Sequence, residues 1–126
     1  MEKECIVAAG APTAMGPYSH AVRTGGFLFI SGMGPLAADG SGVVRGPIEE
    51  ETRLTLENLK TVLAALGQGL EHVVKTTIYL SDMVNFSKFN DVYKTYFMAN
   101  QPARTCIQAG RLPLDMQVEI EAVAVF

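Results

Sequence analysis

Only two stretches of the 126-residue chain place apolar side chains at the three- and four-residue spacing of an amphipathic helix. The first begins after Pro47, where three glutamates suit the positive end of a helix dipole, and ends at Gly67. The second ends before Asn100. Their apolar positions are Leu56, Leu59, Val62, Leu63 and Leu66, and then Phe86, Phe89, Val92, Tyr93, Tyr96 and Phe97. Because two helices cannot cover both faces of a sheet, we predict helices on one face and an opposite face free to contact another molecule.

The remaining apolar segments are typical of β-strands, since Gly and Pro divide them and β-branched residues are frequent in them. They are residues 5–8, 18–23, 27–31, 73–80, 105–109 and 118–126. Gly25-Gly26 lies between two of them and predicts a tight hairpin turn. Alternation should place four residues of the fourth segment on one face: Val74, Thr76, Ile78 and Leu80. The order of the elements predicts an α+β fold with one mixed sheet, in a single domain over residues 1–126.

The charge balance excludes several classes of function. Thirteen acidic and ten basic residues give a net charge of −3, and the basic residues are scattered singly, which argues against a nucleic-acid partner. No stretch approaches the roughly 18 apolar residues of a membrane span, and the first residues lack a signal-peptide pattern. We therefore expect no membrane partner and a cytoplasmic location, with a mitochondrial one left open. His20 and His72 are far apart and no CxxC motif occurs, so we expect no metal site.

Two glutamates break the apolar pattern of the last strand. Glu119 and Glu121 share one face with two valines. Either this end of the strand frays and both carboxylates are solvated, or a carboxylate lies at the lip of a cleft. Arg104 opens the preceding strand, and on neighbouring strands an Arg and a Glu could flank one small anionic ligand. The guanidinium would bind a ligand carboxylate and the glutamate would handle a proton.

Other residues admit both a structural and a functional interpretation. Cys106 lies on the same face as the arginine and is either a small buried hydrophobe or a nucleophile, for which the sequence supplies no evident base. Ser31-Gly32 ends an apolar strand and is either an ordinary turn or a place where a ligand approaches the backbone closely. Tyr18 could be a plain strand aromatic, and Asn90 could lie on a polar helix face without a role.

Several of these segments together resemble the reactive intermediate deaminase A family, also called the YjgF family. They are Gly16-Pro17-Tyr18-Ser19, Ile30-Ser31-Gly32, Glu57-Asn58-Leu59-Lys60, residues 74–83, Pro102-Ala103-Arg104-Thr105-Cys106, and Leu112-Pro113 followed by Val118-Glu119-Ile120-Glu121. The resemblance runs nearly end to end. Its most specific part is the Pro-Ala-Arg-Thr-Cys segment followed by Leu-Pro and Val-Glu-Ile-Glu.

The resemblance implies a chorismate-mutase-like α+β fold with two helices on one face of a mixed sheet. It also implies a homotrimer whose sheets line a central barrel, with three clefts between subunits. The implied activity is hydrolysis of 2-imino acids, such as 2-iminobutanoate and 2-iminopropanoate, and of their enamine tautomers to 2-keto acids and ammonia. These intermediates escape from pyridoxal-phosphate enzymes, and the family itself needs no cofactor.

The resemblance also assigns roles to residues. Arg104 would bind the substrate carboxylate, and Glu119 would position water or move protons. The residues implied to line the same cleft are Tyr18, Ser31, Gly32, Asn90 and Cys106, the last through its backbone. Burial would raise the pKa of the glutamate and a nearby arginine would lower it, so the direction of the net shift stays open at this stage.

Two positions depart from the family pattern, and two other functions stay open. Met33 stands where many deaminase-active relatives have Gln, and Gly110 stands where Ala is common; both bear on substrate choice and rate. One alternative is a regulatory trimer that binds a small molecule without turnover. The other is an endoribonuclease or translation inhibitor, against which the acidic charge balance and the absence of paired His and Lys groups argue.

Overall fold

The computed structural model describes residues 2–126, which form one six-stranded sheet and two α-helices. The strands are β1 (Glu4–Ile6), β2 (Ala21–Thr24), β3 (Phe27–Met33), β4 (Val73–Leu80), β5 (Ala103–Gln108) and β6 (Val118–Val125). The helices are α1 (Ile48–Ala64) and α2 (Phe86–Tyr96). Short 3₁₀ turns cover Leu70–His72, Met83–Asn85 and Pro113–Asp115. The α+β class and the mixed sheet are therefore confirmed.

The strand order in the sheet is β1-β2-β3-β6-β4-β5. All neighbouring strands are antiparallel except β4 and β5, which are parallel and are joined through α2. The predicted hairpin joins β2 to β3. Gly25 and Gly26 have φ values of 56° and 81°, the left-handed conformation that a two-residue hairpin turn requires.

Both helices cover the same face of the sheet. α1 contacts β3, β6 and α2, and the Tyr93 hydroxyl of α2 lies 2.8 Å from Thr76 Oγ1 of β4. The buried apolar residues of the helices and of this face of the sheet form one cluster, as the apolar spacing predicted. Within residues 2–126, no helix is long and apolar enough to cross a membrane.

The opposite face of the sheet is uncovered and largely apolar. Phe27 and Phe29 of β3 are 46% and 48% exposed, and Ile107 of β5 is 46% exposed. Phe29 pairs with Val123 of β6, which is partly buried on the same face. The free second face predicted from the number of helices is therefore present.

Two sequence predictions about strands are wrong in detail. Residues 18–20 precede β2 as a loop, because the backbone there is held around the buried His20 ring, which accepts from Ala8 N at 2.8 Å and donates to Pro12 O at 2.7 Å. Alternation placed Val74 on the same face as Thr76, but Val74 is 41% exposed whereas Thr76 is buried. A register shift between Val73 and Lys75 turns Val73 inward instead, which strict alternation does not foresee.

Candidate active site

Glu119 lies in the interior of the sheet, on the face opposite the helices. Its strand pairs with β4 on one side and β3 on the other, and Glu119 itself is opposite Tyr79. The alternation of β6 buries Val118 and Ile120 and leaves Glu119 partly buried on the open face. The interpretation of a fraying strand end is therefore wrong, since this carboxylate is held by a paired strand.

Ser31 and Gly32 form a bulge in β3 beside this carboxylate. The register between β3 and β6 shifts between Ile30 and Met33, so that two residues stand where regular pairing would place one. Ser31 N donates to His20 O at 3.0 Å, and Ser31 Oγ donates to Ser19 O at 2.8 Å. A Cβ at Gly32 would lie 2.8 Å from both Cδ and Oε2 of Glu119, so any larger residue would displace this carboxyl group.

A cavity of about 460 Å³ opens over Glu119 and the bulge. Of the residues singled out from sequence, Tyr18, Ser31, Gly32 and Glu119 line it. It is also lined by Met15, Gly34, Leu36, Pro113, Met116 and Glu121. Apart from Glu121, these were missed as site residues, because they lie on loops far apart in sequence that only the fold brings together.

Burial raises the pKa of the Glu119 carboxyl above its usual range, and the negative charge of Glu121 raises it further. Glu121 in turn accepts a hydrogen bond from the Tyr79 hydroxyl at 2.7 Å, which raises the pKa of that phenol. Glu119 therefore holds a proton more readily than a solvated glutamate does, as a group that both accepts and returns protons requires. Among the described residues, no group of three or more His, Cys, Asp or Glu could hold a metal ion.

Arg104 belongs to a different part of the molecule. Its Nη1 donates to Asn90 Oδ1 at 2.7 Å, and its guanidinium carbon lies 4.9 Å from the centre of the Tyr93 ring. No carboxylate of residues 2–126 lies within 4.0 Å of this partly buried guanidinium. A cavity of about 300 Å³ lies beside Arg104 and Asn90. A fixed cation without an acidic partner is suited to binding an anionic ligand.

Cys106 is the other candidate on β5, and its thiol faces the buried cluster. Burial raises the pKa of this thiol, and the nearby positive charge of Arg104 opposes the shift only in part. A protonated, partly buried thiol is a poor nucleophile. The structure therefore favours the interpretation of Cys106 as a small buried side chain.

The expectation that Arg104 and Glu119 lie on neighbouring strands is wrong, because β4 lies between β5 and β6. Their side chains also point to opposite faces. Arg104 pairs with Thr76, which faces α2, whereas Glu119 pairs with Tyr79 on the open face. The predicted residues thus form two groups: Tyr18, Ser31, Gly32 and Glu119 on one side, and Asn90, Arg104 and Cys106 on the other.

Two polar side chains that support the Glu119 cavity were not recognised from sequence. The amide of Asn58 on α1 donates to the carbonyl oxygens of Gly34 and Leu36, both at 2.9 Å. Glu51, expected only to suit the helix dipole, is buried and accepts hydrogen bonds from Gln117 N at 3.0 Å and Nε2 at 2.6 Å. Both contacts join α1 to loops that border the cavity.

Comparison with known proteins shows what the chain is related to. A family model described as Endoribonuclease L-PSP matches residues 8–126. A RutC family protein of Pyrococcus horikoshii is 46% identical over 122 residues, which are 97% of each chain. A mouse protein named 2-iminobutanoate/2-iminopropanoate deaminase is 42% identical over 123 residues, which cover 98% of this chain and 91% of the mouse protein. The chain belongs to the YjgF/RutC/Rid family.

The resemblance drawn from sequence motifs is thereby confirmed. The fold agrees with solved structures of the family: the crystal structure of Escherichia coli TdcF with bound serine has a TM-score of 0.91, at 36% identity over 98% of each chain. That structure shows a family member holding a small molecule with a carboxylate.

Proposed function

We propose that this protein hydrolyses 2-imino acids, such as 2-iminobutanoate and 2-iminopropanoate, and their enamine tautomers to 2-keto acids and ammonia. The observation that carries the proposal is Glu119, a partly buried carboxylate of raised pKa that lies against the Ser31-Gly32 bulge in an open cavity. The name of the mouse relative at 42% identity supports the same reaction.

The chemistry needs one group that moves protons in both directions. Glu119 accepts a proton from water as the water oxygen bonds to the imine carbon, and it passes that proton to the nitrogen to give a neutral carbinolamine. Glu119 then accepts the proton of the carbinolamine hydroxyl and passes it to the same nitrogen. The C–N bond breaks, ammonia leaves with its electron pair, and the former water oxygen becomes the keto oxygen. Protons balance over the cycle, so Glu119 returns to its starting state and no cofactor is required.

The substrate carboxylate is bound by Arg104 in this proposal. Its guanidinium is fixed by Asn90 and by the Tyr93 ring and has no acidic partner in the described part of the chain, so a ligand carboxylate can accept from two of the N–H groups that remain. Tyr18, Ser31 and Gly32 border the reacting carbon, and Cys106 contributes its backbone rather than its thiol.

The two groups of residues meet between chains of a homotrimer with a chorismate-mutase-like arrangement. Arg104 and Glu119 lie on opposite faces of one sheet, so a cleft that contains both needs two chains. The uncovered apolar face around Phe27 and Phe29 supplies a surface for association. One heterologous contact repeated three times closes the ring, lines a central barrel with the sheets and forms three identical clefts.

The test is ammonia release from imino acids that an amino-acid oxidase generates in the same tube. We expect the protein to accelerate release above the rate in buffer, and Arg104→Ala to lose that acceleration. Binding of 2-keto acids without acceleration would instead indicate a regulatory small-molecule-binding trimer. Cleavage of a labelled RNA that disappears in Arg104→Ala, from a nuclease-free preparation, would indicate the endoribonuclease activity in the name of the family model.

A further inference from the structure

A second cavity of about 230 Å³, here called the loop cavity, adjoins the Glu119 cavity. It is lined by Pro12, Thr13, Ala14, Met15, Leu36, Ala37, Gly40 and Gly42. Met15 and Leu36 line both cavities. A narrow space bordered by Tyr18, Gly32 and Leu36 also lies between them. The two cavities therefore adjoin each other along walls that they share.

Both walls of the loop cavity are held by hydrogen bonds. On one wall, the buried His20 ring fixes the carbonyl of Pro12 at 2.7 Å. On the other, Ala37 N donates to Gly42 O at 2.9 Å, and the Asn58 amide holds the carbonyl of Leu36. Because these contacts lie within the folded chain, the cavity is formed before any ligand arrives, and filling it requires little ordering of the protein.

The lining carries no charged side chain, and its largest members are the apolar Met15 and Leu36. Its volume is below the roughly 300–1,000 Å³ of a complete small-molecule site, so it suits part of a ligand rather than a separate one. A ligand whose carboxylate and reacting carbon occupy the Arg104 and Glu119 groups can extend only its side chain into this space.

We infer that the loop cavity receives the substrate side chain and makes the protein selective for 2-imino acids with extended, unbranched apolar side chains of about four carbons. This inference rests on the proposed function. Each methylene that moves from water into an apolar cavity strengthens binding by about fourfold. Three additional methylenes are therefore worth up to about sixtyfold in kcat/KM, and charged side chains are rejected.

The test compares two imino acids made in place by an amino-acid oxidase: 2-iminohexanoate from norleucine and 2-iminopropanoate from alanine. We expect kcat/KM for the six-carbon substrate to exceed that for the three-carbon substrate by more than about fivefold. A smaller ratio overturns the inference. If neither substrate is hydrolysed faster than in buffer, both the proposed function and this inference fail. If both substrates are hydrolysed but the ratio is small, only this inference fails.

Substitutions in the wall of the loop cavity test whether the preference for the six-carbon substrate arises there. Ala37 lines the loop cavity but not the Glu119 cavity, so Ala37→Phe should lower the six-carbon to three-carbon ratio at least about fivefold and leave the three-carbon rate within about twofold. Ala38→Phe is the matched control, because Ala38 is exposed and lines neither cavity. Ala14→Phe blocks the opposite wall if Ala37→Phe does not fold. An unchanged ratio in the folded variant, or an equal fall in the control, contradicts the assignment.

Discussion

Arg104 combines partial burial, a fixed orientation and no acidic partner among residues 2–126. If this guanidinium binds the substrate carboxylate, its removal leaves a desolvated anion unpaired, at a cost of about 2–5 kcal/mol. We expect Arg104→Ala to lower kcat/KM by roughly tens- to thousandfold while the protein stays folded. Ammonia release measures this, and Lys94→Ala, which removes a positive charge bordering the same cavity, is the control. A loss below about threefold would remove Arg104 from the site.

Glu119 should give the activity a characteristic pH dependence. Burial and the charge of Glu121 raise its pKa above the ordinary value of 4.5, and only the ionised form can accept a proton from water. The value of kcat/KM should therefore fall as the pH drops through a midpoint above 4.5. Glu121→Gln removes one of the two causes and should move this midpoint downward. A midpoint that does not respond to Glu121→Gln would show that another group controls the acidic limb.

The same shift makes ionised Glu119 unfavourable to folding. Because its pKa is higher in the folded chain than in the unfolded chain, its contribution to stability falls as the pH rises between the two values. Glu119→Gln should therefore gain thermal stability relative to the parent at pH 7, and this gain should vanish at a pH below both pKa values. A stability difference that is independent of pH would argue against a raised pKa.

Cys106 is expected to be dispensable as a thiol. Its pKa is raised by burial and it faces the apolar cluster, so a covalent role has no support in the geometry. We predict that Cys106→Ser keeps most of the deaminase activity in the ammonia assay. If the serine variant were as inactive as Arg104→Ala, the reaction would proceed through a covalent step and the mechanism given above would be wrong.

Among the secondary-structure elements, the bulge in β3 determines where the glutamate can lie. A Cβ at Gly32 would come within 2.8 Å of the Glu119 carboxyl group, so Gly32→Ala should displace that side chain and lower kcat/KM by about tenfold or more. Gly46→Ala is the matched control, since a Cβ there meets only Glu50 Cβ, at an ordinary contact distance of 3.6 Å. The two variants are compared by ammonia release and by thermal unfolding. Equal activity in both would mean that the bulge does not position Glu119.

The elements that local sequence patterns specify were predicted well. β4 has the predicted bounds, Gly25-Gly26 forms the predicted turn, and Glu119 lies on the predicted face of β6. Bulges were not predictable, because the register shift that exposes Val74 depends on pairing with a strand some fifty residues away in the sequence.

Local sequence pattern also does not determine which strands are neighbours in the sheet. β5 precedes β6 in sequence, which suggested that Arg104 and Glu119 lie on adjacent strands. In the structure β5 pairs in parallel with β4 through the α2 crossover, and β6 inserts between β3 and β4. Local pattern therefore placed both residues on strands but did not show that β4 separates those strands.

At the scale of the whole molecule, the uncovered sheet face predicts assembly. Phe27, Phe29 and Ile107 expose apolar side chains on one face, as surfaces that contact another protein do. Light scattering should give a mass of about 41 kDa, three times that of the chain. Phe29→Lys places a charge in this face and should shift the protein toward monomers that retain their helical circular dichroism but lose activity. A monodisperse monomer with full activity would contradict the assembly.

The central claim is that each active site combines Arg104 of one chain with Glu119 of another. The most direct test is to refold inactive Arg104→Ala and Glu119→Gln chains together in equal amounts and to measure ammonia release. Random mixing leaves about one cleft in four with both residues intact, so we predict recovery of about a quarter of the parent activity. Each variant refolded alone should stay inactive. Activity of the mixture no higher than that of the separate variants would show that the two residues do not share a cleft between chains.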